Sequence, residues 1–132
     1  MPTLLDTHAW VWWVSEDRRL SKAAARVIEK SQTEASLWLS LISVWEIAKR
    51  VEKGQLVLDR PVDEWLDLAT ARPGLHLADM TRPILVDSCQ LPQPFPGDPA
   101  DQIIVATARH HGAVLVSKDR HIRRYPQVRS VW

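Results

Sequence analysis

Short apolar runs alternate with longer helix-like segments along this chain, and this alternation restricts its fold more than any other feature. Residues 3–5, 37–41, 75–78 and 114–116 have the length and composition of buried strands, and residues 128–131 are a candidate for a last strand. Each run is separated from the next by a segment with helical signals. The pattern therefore predicts an α/β fold with a mainly parallel sheet.

Capping residues suggest where the helices begin and end. Asp6 or Thr7 starts the first helix, and Ser21 is a candidate N-cap for the second. The spacing Ser43-x-x-Glu46 is a capping box and predicts a helix from residue 43 to about residue 53. Further helices are expected at 61–71, from 81 towards 91, from 98 to the glycine at 112, and at 119–124.

Length and composition limit the remaining possibilities. The 132 residues predict one domain spanning 1–132, and the single cysteine, Cys89, has no partner for a disulfide, so we expect it to be a buried small apolar residue. We recognise neither a membrane span nor a signal peptide, and the expected location is the cytoplasm. The net charge of +1 does not by itself indicate a nucleic-acid-binding protein, although residues 118–129 form a basic region.

Four acidic residues fall where the strands of a parallel sheet would end. Asp6 follows the first strand, Asp119 follows the fourth, and Glu46 and Asp101 lie near the starts of helices. Such positions converge at one edge of the sheet, which is also where α/β folds bind ligands. Clustered carboxylates raise one another's pKa, and a hard divalent cation relieves their repulsion. The arrangement therefore predicts a Mg²⁺ or Mn²⁺ site and phosphodiester hydrolysis, with Asp6, Asp101 and Glu46 as metal ligands.

Each of these acids also has a purely structural interpretation. Asp6 and Asp119 are suitable helix caps, and Glu46 belongs to the capping box described above. In the segment Asp98-Pro99-Ala100-Asp101, the aspartates are suited to an N-cap and a first helical turn. Of these two we assign Asp98 to the cap and Asp101 to the metal. The metal-site hypothesis depends on the acids lying together at one end of the sheet.

Four blocks of this sequence resemble the signature blocks of a known family. They are residues 4–8 (LLDTH), 43–47 (SVWEI), 97–108 (GDPADQIIVATA) and 116–119 (VSKD). In this order and spacing they are similar to PIN domains, and more narrowly to VapC-type toxins of bacterial toxin–antitoxin pairs. The resemblance covers essentially the whole chain.

The resemblance implies a three-layer α/β/α sandwich with endoribonuclease activity that depends on Mg²⁺ or Mn²⁺. It also implies a catalytic quartet of Asp6, Glu46, Asp101 and Asp119, in which the fourth acid is the least constant. Thr7 and Ser117 match the polar residues that often support this quartet. The usual substrates of the family are tRNA or ribosomal RNA.

The resemblance further implies protein partners. VapC-type toxins are inhibited by a small VapB-like antitoxin that often delivers a basic side chain into the acidic site, and they commonly form homodimers. The seven tryptophans are suited to interfaces or to the core, and we expect most of them to be in the core.

Basic residues near the acids are candidates for RNA contact. Lys118, Arg120 and Arg50 could bind phosphates, although a solvated surface is the more common explanation of such charges. No sequence pattern suggests a zinc site or a glycine-rich phosphate loop.

Three other functions fit parts of the sequence. A haloacid-dehalogenase-like phosphatase would need a second aspartate two residues after Asp6, where this chain has His8. A receiver-like signalling domain would need paired acids near the first strand, and Asp79 is its only candidate phosphate acceptor. A non-catalytic interaction domain with an acidic pocket is the remaining alternative.

Overall fold

The structure, a computed structural model, describes residues 1–132. The strands are β1 (Thr3–Leu5), β2 (Leu37–Ser40), β3 (Leu75–Ala78), β4 (Val114–Val116) and β5 (Ser130–Val131). The helices are α1 (Thr7–Val14), α2 (Lys22–Thr33), α3 (Leu41–Glu52), α4 (Val62–Thr70), α5 (Arg82–Ser88), α6 (Pro99–His111) and α7 (Arg120–Arg124). The predicted alternation of strands and helices is confirmed.

All five strands form one parallel sheet in the order β3-β2-β1-β4-β5. In the central strand β1, Leu5 lies beside Leu39 of β2 and Val116 of β4. Asp6, Ser40 and Ser117 follow these three positions in the chain. The sheet register therefore brings polar residues from three neighbouring strands to its carboxyl edge.

Helices cover both faces of the sheet and form the three-layer sandwich. On one face Leu5, Leu37 and Leu39 pack with Trp10 of α1 and Ile28 of α2 in one core cluster. On the other face, a second cluster includes strand residues Leu4 and Leu115 and helix residues Ile104, Val105 and Ile122. Because successive strand residues point to opposite faces, strands with continuous apolar sequence supply both cores.

Several predicted caps are confirmed, and one is wrong. The side chains of Ser21 and Asp98 accept hydrogen bonds from the backbone N–H groups of Ala24 and Asp101, at 3.0 and 2.9 Å. Gly112 ends α6 in the left-handed conformation, with φ of 59°. The capping box at residues 43–46 does not form, because Ser40 caps α3 instead and the helix begins at Leu41.

Two expectations about buried side chains also need correction. Cys89 is exposed at the end of α5, because only Ile84 and Ser88 of that helix face the core. Only two of the seven tryptophans are buried: Trp10 has no exposed surface and Trp65 is 7% exposed. The others lie at the margins of the cores or on the surface.

The helices of this protein are unsuited to crossing a membrane, since none combines the necessary length with an apolar composition.

Candidate active site

Asp6 lies at the centre of the carboxyl edge and is held by neighbours on both sides. It is the residue between β1 and α1 and is only 3% exposed. Its Oδ2 accepts a hydrogen bond from the Ser117 hydroxyl at 2.5 Å, and its Oδ1 accepts one from the Thr7 backbone N–H at 2.8 Å. The carboxylate is thus fixed in orientation by donors that follow β1 and β4.

Glu46 is brought to Asp6 by the packing of α3 against α1. The Thr7 hydroxyl donates to Glu46 Oε1 at 2.5 Å and also contacts the Ser43 hydroxyl at 2.8 Å. Since the Thr7 hydrogen is directed at the carboxylate, Ser43 is the donor to Thr7 Oγ1. Ser43 therefore supports the site from within α3, which is the role it has in place of the predicted cap.

Burial is the main cause that raises the pKa of Glu46, and the charge of Asp6 raises it further. The hydrogen bond from Thr7 and the charge of Arg50, whose Nη2 lies 3.8 Å from Glu46 Oε2, act in the opposite direction.

Asp101 lies in the first turn of α6 and faces the other acids. Burial raises its pKa to about 8, and the charges of four other acids add to this effect: Asp6, Asp98, Asp119 and Glu46. No hydrogen bond to its carboxylate offsets these causes. At neutral pH an unliganded Asp101 is therefore largely protonated, unless a cation balances the charge of its neighbours.

The loop before α6 determines where this helix begins and so where Asp101 lies. Asp98 is exposed and caps α6, as predicted, and its charge still reaches Asp101 and Glu46. Gly97 packs so tightly that a Cβ atom there would lie 2.9 Å from Asp101 Cβ and 2.2 Å from the Phe95 ring. A glycine is required at this close approach because any side chain would displace Phe95 or Asp101.

Asp119 combines a capping role with a place beside the site. Its Oδ1 accepts hydrogen bonds from the N–H groups of His121 and Ile122 at 2.8 and 3.1 Å, which begins α7. Its own N–H donates to Ser117 Oγ at 3.0 Å, so that Asp119, Ser117 and Asp6 form one hydrogen-bonded chain. The capping interpretation of Asp119 is correct, and its charge still raises the pKa of Asp101.

His8 connects two parts of the site, a role that no feature of the sequence indicated. Its Nε2 accepts a hydrogen bond from the Lys118 backbone N–H at 3.0 Å, and its Nδ1 lies 3.4 Å from Asp6 Oδ2. Burial lowers the pKa of His8 despite the opposing charges of Asp6 and Asp119, so that the ring is neutral at pH 7. An accepting Nε2 in a neutral ring leaves the proton on Nδ1, facing Asp6.

The donor set suits a hard divalent cation, because the converging groups are carboxylate and hydroxyl oxygens. Burial is the main cause of the raised pKa of Asp101, and the added repulsion from the neighbouring acids is the effect that such an ion would offset. No three acidic, histidine or cysteine side chains lie close enough together to enclose one ion. This spacing is compatible with Mg²⁺, which binds through one or two carboxylates and keeps several waters.

The predicted basic residues differ in how they are placed relative to the acids. Arg50 pairs with Glu46, and exposed Lys118 follows Ser117 directly. Arg120 lies on α7 with Arg123 and Arg124, and these three line an open depression of 360 Å³. Asp79, the acceptor that a receiver domain would need, is exposed beyond β3, which is an edge strand rather than a central one.

The fold and this acidic edge agree with the family indicated by comparison. A family model described as "PIN domain" matches residues 3–128, and the chain belongs to the PIN-domain family. Within that family it is 39% identical over 131 residues to Ribonuclease VapC22 of Mycobacterium tuberculosis, covering 98% of this chain and 97% of that protein. The resemblance to VapC-type proteins is thereby confirmed.

Solved structures support the same fold. A chain of VapBC2 from Rickettsia felis, crystallised with a promoter DNA fragment, has a TM-score of 0.73 at 18% identity and covers 99% of this chain and 98% of its own length. DNA-bound VapBC from Salmonella typhimurium also gives a TM-score of 0.73 at 18% identity, with coverages of 99% and 97%. FitAcB from Neisseria gonorrhoeae gives 0.68 at 18% identity, with coverages of 97% and 95%.

Proposed function

We propose that this protein is a metal-dependent endoribonuclease that hydrolyses RNA phosphodiester bonds. The observation that carries the proposal is the burial of Asp101 beside four other acids: burial, with the charges of these acids added, raises the pKa of its carboxyl to about 8. A site of this kind stores repulsion that a divalent cation relieves. The reaction class is supported by the similarity to a protein named as a ribonuclease, at 39% identity.

Asp6, Glu46 and Asp101 are the acids that would hold Mg²⁺ or Mn²⁺, one or two of them binding the ion directly and the rest through its waters, and Asp119 completes the proposed catalytic quartet. Such an ion lowers the pKa of a bound water and stabilises the charge that develops on a phosphoryl group. Thr7 and Ser117 orient the carboxylates of Glu46 and Asp6 by the hydrogen bonds described above.

Three basic residues are proposed to bind the substrate around this centre. Lys118 and Arg50 lie beside acids of the site, and Arg120 extends the positive surface along α7. Phosphates held there could lie close to the carboxylates despite their like charge, because guanidinium and ammonium groups neutralise the charge of the RNA backbone. A tRNA or ribosomal RNA is the substrate class we expect, with the cytoplasm as the place of action.

We further propose that the protein is the toxin of a toxin–antitoxin pair and binds a VapB-like antitoxin. The solved structures with its fold include VapBC complexes and a toxin–antitoxin complex from Klebsiella pneumoniae. The unbalanced carboxylates are a suitable receptor for a basic antitoxin side chain, through charge-assisted hydrogen bonds. Homodimers are also expected, and Trp45, which is 54% exposed, is a candidate interface residue.

The activity can be tested on the full chain freed of any partner. We expect cleavage of a structured RNA with Mg²⁺ or Mn²⁺ and none after EDTA. The double variant Asp6→Asn, Asp101→Asn should lose at least about a thousandfold in rate, because two of the three carboxylates proposed to hold the metal are gone.

Asp79→Asn is the matched control, since Asp79 also follows a strand but is exposed and outside the site. It should retain parental activity. If the double variant still cleaved RNA, another protein or another site would be responsible and the proposal would have to be abandoned.

The toxin role has a separate readout in cells. Expression of the parent should arrest growth, whereas Asp6→Ala should not, because arrest requires the acidic site. Equal toxicity of parent and variant would rule out the toxin interpretation and would favour a non-catalytic interaction domain.

A further inference from the structure

Three aromatic rings pack against one another immediately beside the acidic site. The His8 ring lies 5.0 Å from Trp12 and 5.9 Å from Trp132, and the two tryptophan rings are 5.7 Å apart, measured between ring centroids. We call His8, Trp12 and Trp132 the aromatic cluster. All three are only partly buried, so the cluster retains aromatic surface that solvent or a ligand can reach.

Two cations flank the Trp12 ring of this cluster. The Arg19 guanidinium carbon lies 4.8 Å from its centroid, and Lys118 Nζ lies 5.8 Å from it. The Arg19 side chain is 63% exposed and is oriented by a paired contact with Asp17, whose Oδ2 lies 2.8 Å from Arg19 Nη2. The aromatic surface is therefore bordered by the Lys118 ammonium and by a guanidinium whose charge Asp17 partly offsets, and these two donors suit a ligand that combines a flat ring with a phosphate.

The aromatic cluster lies directly against the acidic site. His8 contacts Asp6 through Nδ1 and accepts from the Lys118 backbone through Nε2. A ligand lying on the rings would therefore be adjacent to the carboxylates.

A second group of aromatic rings provides an internal contrast. Trp38 lies 4.9 Å from His76 and 5.0 Å from His111, so it also combines tryptophan with histidine. No lysine or arginine lies over its ring. His111 ends α6, whereas Asp101 lies in the first turn of the same helix, about 15 Å away at 1.5 Å per residue.

We propose that the aromatic cluster is a stacking site for one unpaired RNA base next to the bond that is cleaved, with Arg19 and Lys118 binding the adjoining phosphates. This inference rests on the proposed ribonuclease function and adds a way of selecting substrate. Single-stranded RNA is commonly bound by bases stacked on aromatic side chains within a positive groove. The cluster thus favours loops and unpaired segments over continuous duplex, in which bases are unavailable for stacking.

Binding of a short, fluorescein-labelled single-stranded RNA tests this site. All proteins carry Asp101→Asn, so that cleavage does not consume the probe and one repelling carboxylate is absent. Each position of the RNA is replaced in turn by an abasic nucleotide. We expect one position at which loss of the base weakens binding by about tenfold, the magnitude typical of a base–aromatic stack.

Trp12→Leu should weaken binding of the intact RNA by a similar factor. In this variant, the abasic substitution at that one position should cause no additional loss of affinity. This non-additivity identifies a direct contact between ring and base. Trp12→Phe should recover most of the affinity because it restores an aromatic face. Trp38→Leu is the matched control and should leave both the affinity and the abasic profile unchanged.

The proposal is overturned if no abasic position matters, if the effects of Trp12→Leu and base removal add, or if Trp38→Leu is equally harmful. Normal RNA binding by Trp12→Leu would also overturn it. The aromatic cluster would then serve to bind a protein partner or to pack the fold. If Trp12→Leu fails to fold, the abasic scan is compared between the protein with Trp12 and the Trp12→Phe variant. The absence of a sensitive position in both proteins would overturn the proposal.

The two proposals fail separately. Cleavage of the probe by the Asp101→Asn protein would count against the catalytic site and not against stacking. An abasic profile without the expected position, in a chain whose parent cleaves RNA, would count only against stacking.

Discussion

The acidic site has two parts that differ in how their carboxylates are held. We call Asp6 and Glu46 the sheet side, because their donors Thr7 and Ser117 follow strands β1 and β4, and we call Asp101 the helix side. On the sheet side, Asp6 accepts hydrogen bonds from Thr7 and Ser117, and Glu46 accepts one from Thr7. On the helix side, Asp101 has no such support, and burial and neighbouring charge raise its pKa to about 8. The first group is oriented before any ligand arrives, whereas the second is poised to respond to one.

This difference separates two functions within one site. Hydroxyl donors that are buried with the carboxylates keep geometry fixed at little electrostatic cost, since they satisfy lone pairs without adding charge. An acid facing only other acids is stable as a charged group only when something positive is bound. The helix side should therefore report cation binding, and the sheet side should set its geometry.

Removal of a sheet-side donor should have the largest effect among the variants that keep every acid. Ser117→Ala deletes the 2.5 Å hydrogen bond to Asp6 and the acceptor of the Asp119 N–H. We expect the Mg²⁺ concentration for half-maximal cleavage to rise about 10- to 100-fold, as is typical when a residue that orients a metal ligand is lost.

A Mg²⁺ titration of RNA cleavage measures this change. Ser88→Ala is the control, because Ser88 is also buried and hydrogen-bonded but lies on α5 outside the site. An unchanged Mg²⁺ midpoint in Ser117→Ala would mean that Asp6 does not depend on its donors, and the contrast between the two sides would disappear.

Asp101→Asn should change how the stability of the protein depends on pH, and so test the helix side. In the metal-free folded protein the carboxyl has a pKa of about 8, compared with 3.8 for a free group, so the folded state binds more protons between these values. Stability due to this group is therefore lost as pH rises from about 4 to 8, and the neutral amide avoids the loss. We expect the variant to gain about 2 kcal/mol over the parent at pH 8, after allowance for solvent screening.

Thermal unfolding in EDTA at several pH values provides the measurement, with an expected gain in Tm of about 5 °C or more at pH 8 and little at pH 4. Added Mg²⁺ should stabilise the parent more than the variant and so reduce the difference. A difference that is the same at all pH values would show that neither burial nor the charge of its neighbours raises the pKa of Asp101 in the folded protein.

The architecture of the site was predictable because its signals are local. Apolar runs ending at Asp6 and before Ser117 define two adjacent strands, and the Asp98-Pro99 pair marks the start of α6 without ambiguity. A parallel sheet then requires these positions to share an edge. The convergence of the acids is thus a consequence of the strand pattern.

The contacts that hold the acids were not predictable, because they depend on register and on competing local signals. Ser117 and Asp6 are 111 positions apart, and their hydrogen bond exists because β1 and β4 pair with Leu5 beside Val116. Ser40 and Ser43 are both plausible caps, and the choice of Ser40 was decided by packing that buries Ser43 against Thr7. His8 belonged to the LLDTH block and argued against a phosphatase, but neither observation indicated its contacts in the site.

The smallest effect should come from Arg50, which borders the sheet side from the solvent. Its side chain is 53% exposed and 3.8 Å from Glu46 Oε2, so it contributes little to holding that carboxylate. Arg50→Gln should raise the KM for RNA about threefold and lower the salt slope of RNA binding by about 1, with kcat nearly unchanged. Arg26→Gln, an exposed arginine on α2, should alter none of these quantities. A shift in the Mg²⁺ requirement instead of KM would mean that Arg50 orients Glu46, and the sheet side would then extend to a charged partner as well as hydroxyl donors.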